Sequence, residues 1–262
     1  MAGLRLYSLP ALSLRFGAVW QRHFLVWRKL ALPSILANLA DPLIMLFGLG
    51  YGLGAVLGDL GGTSYFAFLA AGFVASSTMY AASFEALFSA FSRMHVQRTW
   101  EAIVNAPMTL DDVLAGEWAW AASKAFAAGA CMLAVISALG FASLPWALAA
   151  IPVVVLVGLA FAALGLSINA LATGYDFFSY YMTLVLTPMM MLSGVFFPVD
   201  QLPGPVQAAA KILPLYHGVQ LVRPLLHGSV PEAALLHAGV LAGYAAAGFY
   251  LATVLTRRRL LR

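Results

Sequence analysis

Ionisable side chains inside long apolar stretches are the first candidates for chemistry in this sequence. Asp41 directly precedes Pro42 in the first such stretch, and Lys124 follows Trp120 by four residues in the third. A charge in apolar surroundings is costly and often marks the path of a polar ligand or ion. The structural alternatives are capping or kinking at Asp41 and Pro42, and contact of Lys124 with Trp120 or snorkelling. We prefer the structural alternatives and keep both residues as possible pathway residues.

Two later segments also carry candidate ligand contacts. Residues 188–191 supply polarizable methionines, and Met189 and Met190 are possible pathway residues, although filling a core is the commoner role of methionine. Further along, four polar residues recur at spacings of 4, 3 and 4 and would share one helix face: Tyr216, Gln220, Arg223 and His227. This polar stripe either meets the headgroup of a ligand or faces water, and water is the simpler interpretation.

Several catalytic constellations are absent from the sequence. None of the three lysines follows a glycine, so the chain has no Walker A loop to cradle the phosphates of ATP. Zinc-ligand spacing, a nucleophile elbow and nucleic-acid-binding modules are missing too. We therefore expect a chain that is not an enzyme and that binds neither metal nor nucleic acid.

The composition indicates where these residues are placed. Of 262 residues, 63% are hydrophobic and 9% are charged, and the mean hydropathy is +0.90. Soluble domains are about 45–50% apolar and about 25% charged. The single cysteine excludes an intrachain disulfide. Because its composition is much more apolar than that of a soluble domain, the chain is predicted to lie in a lipid bilayer.

Six stretches are long and apolar enough to span about 30 Å of hydrocarbon at about 1.5 Å per residue. They cover approximately residues 30–57, 65–89, 113–140, 146–171, 178–197 and 235–256. No internal repeat is evident. The sequence predicts an all-α integral membrane protein with six transmembrane helices.

Basic residues are distributed asymmetrically around these spans. Eleven of the fourteen lie before the first span, in the second connection or after the last span. Lys211 and Arg223 lie in the fifth connection. Because basic residues accumulate on the cytoplasmic side, both termini are predicted to be cytoplasmic.

Residues 10–32 are predicted to form an interfacial amphipathic helix. Aromatic residues recur at helical spacing on one face and basic residues every seventh position on another: Phe16, Trp20, Phe24 and Trp27 against Arg15, Arg22 and Lys29. In such a helix the aromatic rings enter the acyl boundary and the cations meet headgroups. A solvated lead-in is the alternative.

The second connection, residues 91–117, combines a short surface helix with the start of span three. Residues 95–106 have helical amphipathicity and Pro107 ends the helix, while Thr109 and Asp112 form a capping-box pattern. Trp100 would be exposed or dipped into lipid unless a partner covered it. From the pattern alone, a connector and a docking element for a cytoplasmic partner are equally good interpretations.

The fifth connection, residues 198–234, is unusually apolar for a loop. Four prolines divide it into pieces of about ten residues, which are too short to span: Pro203, Pro205, Pro214 and Pro224. Because irregular backbone at membrane depth must be shielded, we predict a re-entrant outer hairpin between spans five and six.

Several motifs resemble those of type-2 ABC exporter permeases. The matching segments are residues 98–103, 106–109 and 116–117 in the second connection, 192–198, 202–203 and 214–216 around the fifth, and 38–42 and 48–54 in span one. Within that superfamily the pattern is similar to the permeases of lipo-chitooligosaccharide exporters. The resemblance covers most of the chain.

This resemblance implies a single type-2 ABC transmembrane domain over residues 1–262, in the inner membrane of a bacterium. It implies a homodimer that recruits two copies of a separate ABC ATPase, which uses ATP and Mg while this chain binds no cofactor. The coupling residues would be Arg98, Thr99, Trp100, Glu101 and Pro107. The external gate would comprise Gly194, Phe197, Pro198, Pro214, Tyr216, His217, Gln220 and Arg223.

The implied function is outward movement of an amphipathic lipid-linked substrate or lipo-oligosaccharide. Drug and toxin efflux permeases share the motifs and are the alternative within the superfamily. From another class, an ion-coupled secondary transporter would use helices broken at Pro42 and Pro188. Against it, midplane charges are few and the two halves do not repeat.

Overall fold

The computed structural model describes residues 6–60, 62–104 and 108–260. They are mostly helical, with one antiparallel pair of short strands, β1 (Asp59–Leu60) and β2 (Thr63–Ser64), in which Leu60 pairs with Thr63. The α-helices are α1 (Phe16–Trp27), α2 (Ala31–Gly52), α3 (Gly54–Leu57), α4 (Tyr65–Phe84), α5 (Thr99–Val104), α6 (Leu110–Ala138), α7 (Leu144–Leu171), α8 (Tyr175–Tyr181), α9 (Thr187–Leu192), α10 (Gly204–Ala210), α11 (Pro214–Leu226) and α12 (Ala234–Leu260).

Within the described residues, five helical runs are long and apolar enough to cross a membrane: Phe16–Leu57, Tyr65–Val96, Leu110–Ala138, Leu144–Leu171 and Ala234–Leu260. They agree with five of the six predicted spans. The remaining predicted span, the fifth (residues 178–197), instead covers most of α8 and α9, which are joined by a π-helical turn over Met182–Leu186. Tyr, Ser, Thr and Asp residues make this stretch less apolar than the other five.

The N-terminal helix differs from the predicted interfacial helix in its start and its partners. It begins at Phe16 rather than near residue 10, and it joins α2 through a 3-10 turn over Arg28–Leu30. Its Val19 and His23 are buried, and the Trp20 and Trp27 rings meet Trp120 of α6 edge-on. Part of the aromatic stripe therefore packs against α6, whereas Phe24 is exposed, and the interfacial placement of α1 stays a prediction.

Of the kink or break expected at Pro42, the structure excludes the break. Helix α2 runs without interruption from Ala31 to Gly52 with Pro42 inside it. Proline removes one N–H, so one hydrogen bond to the carbonyl of Asn38 is lost. The neighbouring helix holds α2 in place, since a Cβ on Gly50 would lie only 2.5 Å from the Phe66 ring.

Helix α4 forms the centre of the bundle. Almost all of its residues from Tyr65 to Ser83 are buried, and it packs against α2, α6, α7 and α11. Helix α12 packs along α7, where a Cβ on Gly248 would lie 3.1 Å from the Ala163 side chain. Helix α4 continues beyond Phe84 through two π-helical segments, Glu85–Ser89 and Ser92–Val96.

The 198–234 segment contains two short helices, as the prolines predicted. Pro205 lies in the first turn of α10 and Pro214 is the first residue of α11, positions at which a missing N–H costs little. Pro224 lies inside the last turn of α11. This helix packs against α4, α7 and α12, so one face is covered by the bundle.

Candidate functional site

The 91–117 loop has a shorter helix than its amphipathicity predicts. The π-helical segment lasts to Val96, and Arg98 has φ of 51°, so α5 begins only at Thr99. The predicted helix from residue 95 is therefore interrupted. Pro107, one of the predicted coupling residues, lies outside the described residues. The predicted capping box of Thr109 and Asp112 is confirmed at the start of α6.

Trp100 is buried rather than exposed. Only 2% of its surface is accessible, and its indole Nε1 donates a hydrogen bond to Glu117 Oε1 at 2.9 Å. The hydroxyl of Thr99 donates to the carbonyl of Arg93 at 3.0 Å. Arg98 and Glu101 are exposed. Trp100 and Thr99 thus anchor α5 to the bundle, and Arg98 and Glu101 are the predicted coupling residues left accessible to a partner.

Trp100 belongs to a buried network that we call the ionic cluster: His23, Glu85, Arg93, Trp100, Glu117, Trp120 and Lys124. Glu117, 1% exposed, accepts Arg93 Nη2 at 2.6 Å and Arg93 Nε at 2.9 Å, and His23 Nε2 lies 3.1 Å from it. Glu85 meets Arg93 Nη2 at 2.9 Å and Lys124 Nζ at 3.0 Å. Two carboxylates therefore face one guanidinium and one ammonium, which balances their formal charges and makes their burial tolerable.

The ionic cluster joins four parts of the chain. His23 comes from α1, Glu85 and Arg93 from the π-helical continuation of α4, Trp100 from α5, and Lys124 from α6. Lys124 is paired with Glu85, which agrees with a structural role rather than snorkelling, and its place in a pathway stays a prediction. The network could not be predicted from local patterns, because its charged members lie far apart along the chain. The one local pattern in the sequence that indicates the ionic cluster is an acidic residue, Glu117, one helical turn before Trp120.

A second ionic contact fastens the N-terminal segment to α6 and α12. Arg257 is buried and pairs with Asp111, and its Nη1 donates to the carbonyl of Ser8 at 2.6 Å. Asp111 also accepts the Ala11 amide at 2.8 Å. These contacts hold residues 8–13 against α6, which explains why α1 starts later than predicted.

All eight predicted gate residues are buried or half-buried. Arg223 lies at their centre: its Nη2 donates to the carbonyl of Gly194 at 2.6 Å, and its guanidinium stacks 3.7 Å above the Phe68 ring. Gly194 has φ of 80°, a conformation that favours glycine. The preferred water-facing interpretation of the polar stripe is therefore wrong for Arg223, which points into the protein, whereas His227 is exposed as expected.

Two histidines are paired where α11 meets α12. The Nδ1 atoms of His217 and His237 lie 2.7 Å apart, and His217 Nε2 lies 3.0 Å from the carbonyl of Lys211. A carbonyl only accepts, so His217 carries its proton on Nε2 and receives the proton of His237 Nδ1. Burial and the neighbouring imidazole lower the pKa of His217 below its usual 6.5. These hydrogen bonds therefore stabilise the pair when both imidazole rings are neutral.

We expect the folded protein to lose stability as pH falls through about 6.5, because unfolded histidines take up protons there while His217 resists protonation. The thermal unfolding temperature of the reconstituted wild type should decrease between pH 7.5 and 5.5, and His217→Gln should flatten this dependence. Lys211→Ala is the matched control, since the bond uses its backbone carbonyl. An equally steep dependence in His217→Gln would contradict the assignment.

A cavity of about 760 Å³ lies between α2, α4 and the Met182–Leu192 stretch. Its wall includes Asp41, Tyr80, Met182 and Met190. Of the predicted pathway residues, the structure thus brings Asp41 and Met190 to one cavity. Met189 is instead buried in the packing, and Lys124 lies in the ionic cluster.

Five helical runs that can cross a membrane, beside a cavity with polar and apolar side chains on its wall, fit a membrane protein that binds a ligand between its helices. A model of the ABC-2 type transporter family matches residues 15–226, so the chain belongs to this family. It is therefore a multi-pass transport permease, the transmembrane component rather than the catalytic subunit, and the family implies an ABC ATPase subunit as partner.

Among individual proteins, the chain is similar to nodulation protein J. It is 51% identical to that of Rhizobium leguminosarum bv. trifolii over 262 residues, covering 100% of both chains. It is 50% identical to that of Rhizobium meliloti (strain 1021) over 254 residues, covering 97% of each. The inner membrane transport permease YadH of Escherichia coli (strain K12) is 26% identical over 207 residues, 79% of this chain and 75% of that one.

Proposed function

We propose that the chain is the permease subunit of an ABC exporter that moves an amphipathic lipo-oligosaccharide outward across a bacterial inner membrane. Two copies of the chain would assemble with two copies of the ATPase, which supplies ATP hydrolysis and Mg. The single domain would have both termini in the cytoplasm and six spans, with residues 175–192 as the fifth. The 198–234 segment would form a re-entrant external gate.

The observation that carries this proposal is the cavity of about 760 Å³. Its wall combines polar groups, such as Asp41 and Ser77, with apolar side chains such as Ile44 and Met45. An amphipathic molecule needs both kinds of surface, and a cavity of this size is in the range of ligand sites. The similarity to nodulation protein J over the full length supports a lipo-oligosaccharide as cargo.

Transport in inverted membrane vesicles tests the proposal. Vesicles containing the chain and its ATPase should accumulate a labelled lipo-chitooligosaccharide only when ATP is supplied. Preferential uptake of a hydrophobic cationic drug would favour the drug efflux alternative. Uptake that survives without ATP and stops when the proton gradient is dissipated would contradict the ABC mechanism in favour of a secondary transporter.

We further propose that the exposed side chains of Arg98 and Glu101 on the 91–117 loop contact the ATPase. Glu101→Ala should reduce co-purification of the ATPase at least about fivefold, because it removes an accessible charge from a small docking surface. The unfolding temperature should not change, since Glu101 is exposed. Glu232→Ala, an exposed glutamate in the 198–234 segment, is the control, and equal recovery with both variants would refute the docking role.

A further inference from the structure

The wall of the cavity carries several hydrogen-bond acceptors. Asp41 presents an exposed carboxylate, and Pro42 leaves the carbonyl of Asn38 without its usual helical N–H. On the facing helix, the hydroxyl of Ser77 donates to the carbonyl of Val74 at 3.1 Å, and that of Ser76 donates to Phe73 at 3.5 Å. Because each hydroxyl donates its proton to a carbonyl of its own helix, its oxygen can only accept hydrogen bonds from a ligand in the cavity.

These acceptors lie at similar depth. Gly50 of α2 packs against Phe66 of α4, and the two helices run in opposite directions. Asp41 precedes Gly50 by nine residues along α2, and Ser76 follows Phe66 by ten residues along α4. At about 1.5 Å per residue, the two residues lie about 14 Å and about 15 Å from the contact, on the same side of it. The acceptors therefore form a belt, which we call the acceptor belt: Asn38, Asp41, Ser76 and Ser77.

Apolar side chains flank the acceptor belt. Ile44 and Met45 follow Asp41 along α2, and Met190 of α9 faces the same cavity. An acyl chain can pack on these side chains while a polar headgroup meets the belt. A group that meets these acceptors must bring donors, because two acceptors without a proton between them do not bond. The side-chain amide of Asn38 and the hydroxyl of Tyr80 lie on the same wall and can donate to the acceptors of a headgroup.

We propose that the acceptor belt recognises the uncharged saccharide headgroup of the exported amphiphile, with Asp41 as its principal acceptor. Sugar hydroxyl and amide N–H groups supply several donors spread over several ångströms, which suits a belt better than a single cation does. A phosphate-linked headgroup brings mainly acceptors and a negative charge, which the carboxylate of Asp41 repels. This inference rests on the proposed function and adds selectivity against anionic cargo.

Direct binding to the full chain in nanodiscs tests the inference without requiring transport. The probes are an uncharged lipo-chitooligosaccharide and the same molecule with a phosphate on its reducing end. Wild type should bind the uncharged probe at least about tenfold more tightly than the phosphorylated one. Asp41→Ala should weaken binding of the uncharged probe about tenfold, since a hydrogen bond to a charged group is lost.

Asp41→Asn separates hydrogen bonding from charge. Its amide oxygen still accepts, so the uncharged probe should bind within about threefold of wild type, while discrimination against phosphate narrows. Asp176→Asn, which changes an exposed aspartate at the start of α8, is the control and should alter neither affinity. Unchanged binding in Asp41→Ala, absence of binding by wild type, or equal binding of both probes would overturn the inference.

The two proposals fail in different ways. Asp41-dependent binding without ATP-driven transport would contradict only the proposed exporter function. ATP-driven transport with binding that ignores Asp41 would contradict only the recognition role of the acceptor belt. A hydrophobic cation that binds wild type but neither Asp41 variant, with no binding of the saccharide probe, would identify a cation site instead.

Discussion

Replacing Glu117 by alanine is expected to lower the free energy of unfolding by about 3–5 kcal/mol and to uncouple ATP hydrolysis from transport. The change leaves the guanidinium of Arg93 beside a single carboxylate and removes the partner of the Trp100 indole. Breaking a buried ion pair from one side costs this much because the remaining charge stays desolvated. Denaturant unfolding measures the first effect, and the ratio of transport to ATPase activity measures the second.

Two variants distinguish lost charge from lost packing. Glu117→Gln keeps the acceptor for Trp100 and removes the negative charge. Combining it with Arg93→Met leaves Glu85 and Lys124 as a neutral pair, so the double variant should be more stable than the sum of the single losses predicts. Additive losses of stability would contradict the interaction of Glu117 with Arg93. Normal coupling in Glu117→Ala would show that the ionic cluster does not transmit the ATPase signal.

The reason to expect an effect on coupling is the position of this cluster on the second helical run. From one end to the other, the run Tyr65–Val96 carries Phe68 beneath Arg223, then Ser77 and Tyr80 on the cavity wall, then Arg93 in the ionic cluster. A displacement of α5 by the ATPase would therefore reach the cavity and the proposed gate through one helix. We infer that this helical run transmits movements of α5 to the cavity and to the proposed gate.

The sequence predicted those parts of the fold that depend on neighbouring residues. Hydropathy located the long apolar helices, and the pair Thr109 and Asp112 located the start of α6 because a capping box lies within one turn. The prolines of the 198–234 segment likewise marked the starts of α10 and α11.

The partners of the charged residues could not be predicted in the same way. Glu85 and Lys124 are 39 positions apart, and Arg93 reaches Glu117 across 24. Two π-helical segments shift the register between Glu85 and Arg93, so ideal helical spacing does not place them together. Trp100 was expected on the surface because its acceptor belongs to another helix, and Arg223 was expected in water for the same reason.

The proposed external gate gives the second large effect. Arg223→Ala should raise the hydrogen-exchange rate of the amides in residues 194–197 by about 30-fold or more. The change removes a charged hydrogen bond to Gly194 and a stacked contact with Phe68. Together such contacts contribute about 2–3 kcal/mol to closing a local segment. Exchange measured by mass spectrometry on the protein in nanodiscs reports this change directly.

The graded variants make the assignment specific. Arg223→Lys keeps a cation above Phe68 but presents a single nitrogen, so its exchange rate should lie between those of wild type and Arg223→Ala. Lys211→Ala removes an exposed cation from the same segment and should leave exchange unchanged. If the gate is held in this way, Arg223→Ala should also leak substrate without ATP, because opening no longer requires the ATPase. Protection of residues 194–197 that is the same in wild type and Arg223→Ala would mean that the buried face of α11, rather than Arg223, keeps the gate closed.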